Sequence, residues 1–154
     1  MATEKWISGS GQGLTWGSAA GSEVNSLANG NAVLSTVSIT NGTALDIFAD
    51  VSVICSCGIA TAAPTYLGVY VYPLAEDGST YGDGRFGSAT TGPPPSNYWT
   101  GNIMVSTASS FVNGTLRGII LPPGTFSFVF YNQAGATLAT SVVIKYRTYN
   151  RSVA

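Results

Sequence analysis

The chain has 154 residues, enough for one domain around a single hydrophobic core, and carries six Lys and Arg against seven Asp and Glu with no histidine. Charged residues make up 8% of it, too few and too scattered to neutralise a run of phosphates, which argues against nucleic acid as a partner. Without histidine there is no Ser-His-Asp or Cys-His arrangement, and a near-neutral surface rich in Ser, Thr, Asn and Gly repels its neighbours weakly, so association is tolerated.

The N-terminus, "MATEKWISGSGQG", lacks a basic segment followed by an apolar run of signal-peptide length, so synthesis and retention in a cytoplasm are expected. No stretch approaches the roughly 18 apolar residues of a membrane helix. Residues 1–30 are expected to form an arm and linker, with Trp6 and Trp16 set among Gly and Ser as two aromatic anchors for docking. The alternative for Trp6 is that it starts the first strand and packs in the core. Between Ser18 and Gly30 the pattern supports a short turn of helix at most.

From Ala32 to Cys57 the apolar residues Val33, Val37, Ile39, Leu45, Ile47, Val51, Val53 and Cys55 all fall on odd positions. That period of two marks half-buried strands. Asn41-Gly42 between the two runs suits a tight hairpin turn or a looser connection. Cys55 and Cys57 share a strand face; a disulfide across one intervening residue would be strained, and without histidine or a second cysteine pair no structural metal site is completed. Next, "TYLGVYVYP" places Leu67, Val69 and Val71 on one face and Tyr66, Tyr70 and Tyr72 on the other, both apolar enough to be partly covered.

Residues 76–99, "EDGSTYGDGRFGSATTGPPPSNYW", are too irregular for a helix and too rich in Gly and Pro for a strand. Gly82, Gly84 and Gly87 spell a dinucleotide fingerprint, but three consecutive prolines follow where the phosphate-binding helix would open. The glycines allow a tightly folded backbone, and Pro93-Pro94-Pro95 stiffens the exit. Tyr81, Phe86, Tyr98 and Trp99 then supply large faces, either for contact with a neighbour or for capping the protein's own core. Beyond this loop, "GNIMVST" and "TLRGIIL" are strand candidates bracketing an expected turn at Asn113-Gly114. Phe126, Phe128 and Phe130 alternate after Pro122-Pro123-Gly124, with a turn at Asn132 to Gly135, and Val142, Ile144 and Tyr146 alternate in a closing strand.

Short strands separated by Gly, Pro and Asn turns predict an all-β, single-domain β-sandwich of jelly-roll type over residues 31–154, with a flexible N-terminal arm and one long Gly/Pro-rich loop. Carboxylates are the only general bases on offer. Asp46 and Asp50, four apart in an extended run, would lie ~13 Å apart, beyond the separation of a glycosidase pair. Glu76, Asp77 and Asp83 are close in sequence, but Asp77 and Asp83 suit turn-seeding better than a calcium loop.

Three segments in order, "YLGVYVYPLAEDGSTYGDGRFGS", "LRGIILPPGTFSFVFYNQAGATLA" and "VVIKYRTYNRSV", resemble the body of small virion proteins of tailed bacteriophages, a group with a jelly-roll or related β-sandwich body. The resemblance runs from Ala44 to the C-terminus. It implies a non-enzymatic capsid decoration or cement protein that stabilises the shell by lattice contacts, made in the host cytoplasm and resident in the virion. Its partners would be the major capsid protein or other virion proteins, and its own assembly a homotrimer. No catalytic residue, cofactor or metal is implied, and neither nucleic acid nor membrane is a partner. The contact candidates are Trp6, Trp16, Tyr81, Phe86, Tyr98 and Trp99. A receptor- or carbohydrate-binding module of a tail or head fibre is the alternative, with the loop aromatics as sugar-stacking faces.

Overall fold

A computed structural model describes residues 4–7, 16–56, 65–81, 89–104 and 111–153; at 4–7, 111–112 and 151–153 it describes backbone alone. The strands are β1 (Glu4–Ile7), β2 (Gly17–Ser18), β3 (Asn31–Asn41), β4 (Phe48–Ser56), β5 (Tyr66–Pro73), β6 (Thr90–Thr91), β7 (Trp99–Met104), β8 (Phe111–Ile120), β9 (Gly124–Gln133) and β10 (Val143–Val153). They form two antiparallel sheets packed as a sandwich. The first has the order β1-β10-β4-β8, with β2 also on β10, and the second β6-β3-β9-β5-β7. Pairing is nested: β1 with β10, β3 with β9, β4 with β8 and β5 with β7, alternating between the two sheets.

The period-two pattern dictates which side chains meet between the sheets. Val33 and Ile39 of β3, Val51 and Val53 of β4, Val69 of β5 and the three phenylalanines of β9 are buried in one cluster. Each such side chain contributes ~1.5–3 kcal/mol relative to exposure. Phe128 meets Phe126 edge-on at 5.7 Å and reaches across to Tyr146 of the opposite sheet at 6.2 Å between ring centroids.

Strand β3 keeps its odd-numbered face inward despite an interruption. Leu34 pairs with Val129 and Ser38 with Ser127, so β3 spends two extra residues where β9 spends none. Two is even, so parity survives. Ser127 Oγ bridges the Ser35 and Val37 carbonyls at 2.9 Å each, and the Glu23 carboxylate accepts from the Gly21 and Thr36 amides at 2.9 Å.

Residues 16–30 are part of the sandwich, which corrects the expectation of an arm and linker for this stretch. Ala19, Val24 and Leu27 are buried in the main core. The Ala19 amide donates to Ile144, Ser26 to Ala139 and Gly30 to Asn132, and Ser22–Val24 forms the single short helical turn that the sequence allows. Gly and Ser in this segment read as linker composition, yet spaced apolar residues between them suffice to anchor it.

One turn expectation also changes. Asn113-Gly114 is not a turn: both residues sit inside β8, paired with Ile54 and Val53. Gly114 is needed for packing, because a Cβ there would lie 2.6 Å from Ile103 Cγ2 of β7. Asn41-Gly42 takes its looser alternative, a crossover between sheets rather than a hairpin. The buried Asn41 side chain exchanges two 2.7 Å hydrogen bonds with the Asp46 backbone, holding the connection closed.

Candidate contact surfaces

The two outer faces of the sandwich differ. On the second sheet, Leu34, Tyr70, Tyr72, Val129 and Tyr131 form a second buried cluster, against which Tyr66, Tyr81 and Tyr98 pack. At Tyr81 and Tyr98 the segment after β5 therefore lies over its own sheet. Tyr98 lies on Tyr72 with ring centroids 4.5 Å apart, and the Tyr81 hydroxyl shares a 2.7 Å hydrogen bond with Ser38 Oγ. Both cap the outer face of their own sheet, the intramolecular role among the two expected for them. At the loop's start Asp77 accepts from the Ser79 and Thr80 amides at 2.9 Å and from the Thr80 hydroxyl. These bonds pull its pKa down to about 2, so the aspartate seeds a turn.

Trp99 behaves differently from its neighbour Tyr98. It opens β7 with 53% of its surface exposed, and its indole N–H donates to Asn102 Oδ1 at 3.1 Å. A bulge between Val69 and Tyr70 in the β5–β7 register turns it outward, secured by the Thr100 hydroxyl on the Val69 carbonyl at 2.7 Å. Tyr98 and Trp99 form one wall of a cleft of about 520 Å³, whose other wall is Ile119, Ile120 and Leu121 at the end of β8.

The outer face of the first sheet is polar at its centre and apolar at one end. Asp50 of β4 lies directly opposite Arg147 of β10 and receives its Nε and Nη2 donors at 2.9 and 2.8 Å. The Tyr149 hydroxyl at 2.8 Å and the Gly118 amide at 3.1 Å complete its shell. Burial works against the Asp50 charge, but these hydrogen bonds and the guanidinium outweigh it and hold the carboxyl below its usual range. The Tyr149 hydroxyl is pushed up by burial and by the same carboxylate. Asp46 precedes β4 and accepts from Thr148 Oγ1 at 2.5 Å and Asn150 Nδ2 at 3.1 Å. Both aspartates are thus structural acceptors for β10. Trp16 covers Arg147 with the guanidinium carbon 4.7 Å from its ring. Beyond it Ile54 and Val143, a direct cross-strand pair, are exposed, and together with Ser52 and Lys145 they border a shallow pocket of about 310 Å³.

The six contact candidates therefore do not form one surface. Trp16 is on the first sheet's outer face, Trp99 at the cleft, and Tyr81 and Tyr98 beneath the loop. Trp6 is in β1, opposite Arg151, so the segment that carries it is a strand; Phe86 lies outside the described residues, as do Cys57 and the glycine fingerprint. Ile54, Val143 and Ile120 were not among the candidates. Their signal was an apolar residue on the polar parity of a strand. Among the described residues no group of three His, Cys, Asp or Glu is placed to hold a metal ion, and no helix is long and apolar enough to cross a membrane. Comparison of the chain with protein-family models, curated proteins and solved structures finds no match.

Proposed function

We propose that this is a non-enzymatic structural protein of a bacteriophage virion, a capsid decoration or cement protein that acts by surface contact. The observation that carries the reading is the apolar patch on the outer face of the first sheet, where Trp16, Ile54 and Val143 are uncovered among the described residues. On the second sheet Tyr81 and Tyr98 cap much of the outer face, leaving Trp99 and Met104 exposed at its β7 edge. An apolar patch on a weakly charged sheet is suited to a lattice, where many modest contacts add through multivalency. The nested strand pairing supports a jelly-roll reading of the sandwich, in keeping with the virion proteins that three segments of the sequence resemble. The partner in this reading is the major capsid protein or another virion protein, and the assembly is a homotrimer.

Mass spectrometry of purified particles of the encoding virus tests this. The protein should be present at a copy number matching a lattice position, and light scattering of the isolated protein should give a trimer mass. Recovery of the protein only in the soluble fraction of the lysate would overturn the virion assignment. Replacement of Ile54 and Val143 by serine should release the protein from particles while leaving it folded.

A second reading, a carbohydrate-binding module of a virion fibre, is favoured by one observation. Trp99 is held outward at the mouth of a cleft, with its ring exposed and its N–H already occupied.

A further inference from the structure

We infer that the cleft between the start of β7 and the end of β8 is a binding site for a neutral saccharide, with Trp99 as its stacking platform. This rests on the second reading above and locates it. The cleft measures about 520 Å³, within the range of small-ligand sites. None of the described residues lining it is charged. That leaves no side-chain charge among them to recognise a phosphate, a nucleotide or an acidic peptide, and favours an occupant with apolar faces and uncharged polar edges.

A pyranose ring is such an occupant. Its face of C–H bonds packs on the negative face of an indole, while its hydroxyls take up the polar groups at the rim. Trp99 offers that face and little else, because its indole N–H is bonded to Asn102 Oδ1 at 3.1 Å. The exposed Asn97 amide stands on the same wall, and Ile120, 71% exposed, and Pro122 form the opposite one.

The walls are also preorganised. Trp99 follows Pro93-Pro94-Pro95 and a 3₁₀ turn at Ser96–Tyr98, whose last ring is seated on Tyr72. Each wall carries a register break. On β7 it falls at Trp99 to Gly101, fixed by the Thr100 hydroxyl on Val69. On β8 it falls between Leu116 and Ile119, where Gly118 adopts φ +69° and donates its amide to the buried Asp50 carboxylate. Bulges re-aim side chains, and edge strands are where they can do so without breaking a central ladder. Here two of them, each tied down by a side-chain hydrogen bond, flank the same cleft.

The test uses the full chain, a panel of neutral oligosaccharides built from glucose, galactose and N-acetylglucosamine, and saturation-transfer NMR with tryptophan fluorescence as readouts. At least one member should bind, and Trp99→Ala should weaken it roughly three- to tenfold, the worth of one aromatic stacking contact. Ile120→Asp, which puts a charge on the facing wall, should also weaken it, with both variants keeping the circular dichroism spectrum of the parent. If the panel binds but both variants bind as the parent does, the cleft is the wrong site and the carbohydrate reading stands without it. If no member binds, both fall. Binding of a proline-rich peptide to this cleft, lost in Trp99→Ala, with no saccharide bound, would assign it to a protein partner instead.

Discussion

A carboxylate on the outer face of a sheet would normally keep its water, and Asp50 does not. It is 2% exposed and trades hydration for four hydrogen bonds from Arg147, Tyr149 and Gly118. Removing it leaves a guanidinium, a phenol and a backbone amide without their acceptor. Because Arg147 is partly open to water, Asp50→Ala should cost about 2–3 kcal/mol, rather than the full penalty of a broken buried pair. Urea unfolding measures this, and a loss within experimental scatter would show that water replaces the carboxylate. The pH dependence follows in sign. The Asp50 carboxyl titrates below its usual value when folded, so its contribution is complete above an unfolded pKa of ~3.9 and is lost as pH falls through the lower folded one. Glu23 acts in the same direction: burial opposes its charge, but the Gly21 and Thr36 amides prevail. Stability of the parent should therefore fall with acidification in that window, and Asp50→Asn should flatten the slope without abolishing it. None of this was legible beforehand. Arg147 and Tyr149 lie almost a hundred residues from Asp50, and a single sequence records only that two aspartates stand four apart.

At the level of the element, period-two alternation was legible because it reports burial directly. Val33 to Ile39, Val51 to Cys55 and Phe126 to Phe130 all face inward as their parity requires, whereas Leu45 and Ile47, on the same parity, lie in the crossover between β3 and β4 and are exposed. Turn chemistry was less informative, since glycine has two uses. At Gly124, φ is +83° and the glycine serves a turn after two prolines; at Gly114 it clears space inside a strand. Gly114→Ala should therefore destabilise by about 1–3 kcal/mol, through overpacking against Ile103 rather than through any turn. Thermal melts of this variant and of the double variant with Ile103→Val decide the mechanism, for recovery in the double variant is expected only if the clash is the cause. The long loop divides at adjacent residues. Tyr98 rests on Tyr72, whereas most of Trp99 is in water. Tyr98→Ala should cost about 2–3 kcal/mol, whereas Trp99→Ala should stay within about 0.5 kcal/mol. Equal losses in denaturant titrations would mean that the loop has no division between cap and exposed platform. Composition gave both residues the same reading because it counts aromatic rings and not what lies beneath them.

On the scale of the whole molecule, nested pairing brings the chain's beginning and end together. β10 holds β4 along one edge, and along the other it holds β2 at Lys145 and Tyr146 and β1 from Asn150 to Val153. Most strand contacts join residues far apart in sequence, the situation in which loop-closure entropy slows folding to milliseconds or longer. It also makes the contribution of the N-terminal residues testable in two steps. Residues 4–7 add four backbone pairings at a sheet edge, beyond the part of β10 that is paired with β4. Residues 16–28 place Ala19, Val24 and Leu27 in the main core and tie the β3 interruption through Glu23. Deleting residues 2–15 should therefore leave a folded protein with its melting temperature lowered by only a few degrees, roughly the effect of 1 kcal/mol in a domain of this size. Deleting residues 2–28 removes two large buried aliphatic side chains, at about 2–5 kcal/mol each, from a total stability of about 5–15 kcal/mol. That protein should be unfolded or aggregated at 25 °C by circular dichroism and sedimentation. If the longer truncation melts cooperatively near the parent, residues 16–28 are dispensable to the core and belong to an arm after all. If the shorter one already fails to fold, the edge pairing of β1 with β10 carries far more than four backbone pairings at a sheet edge should.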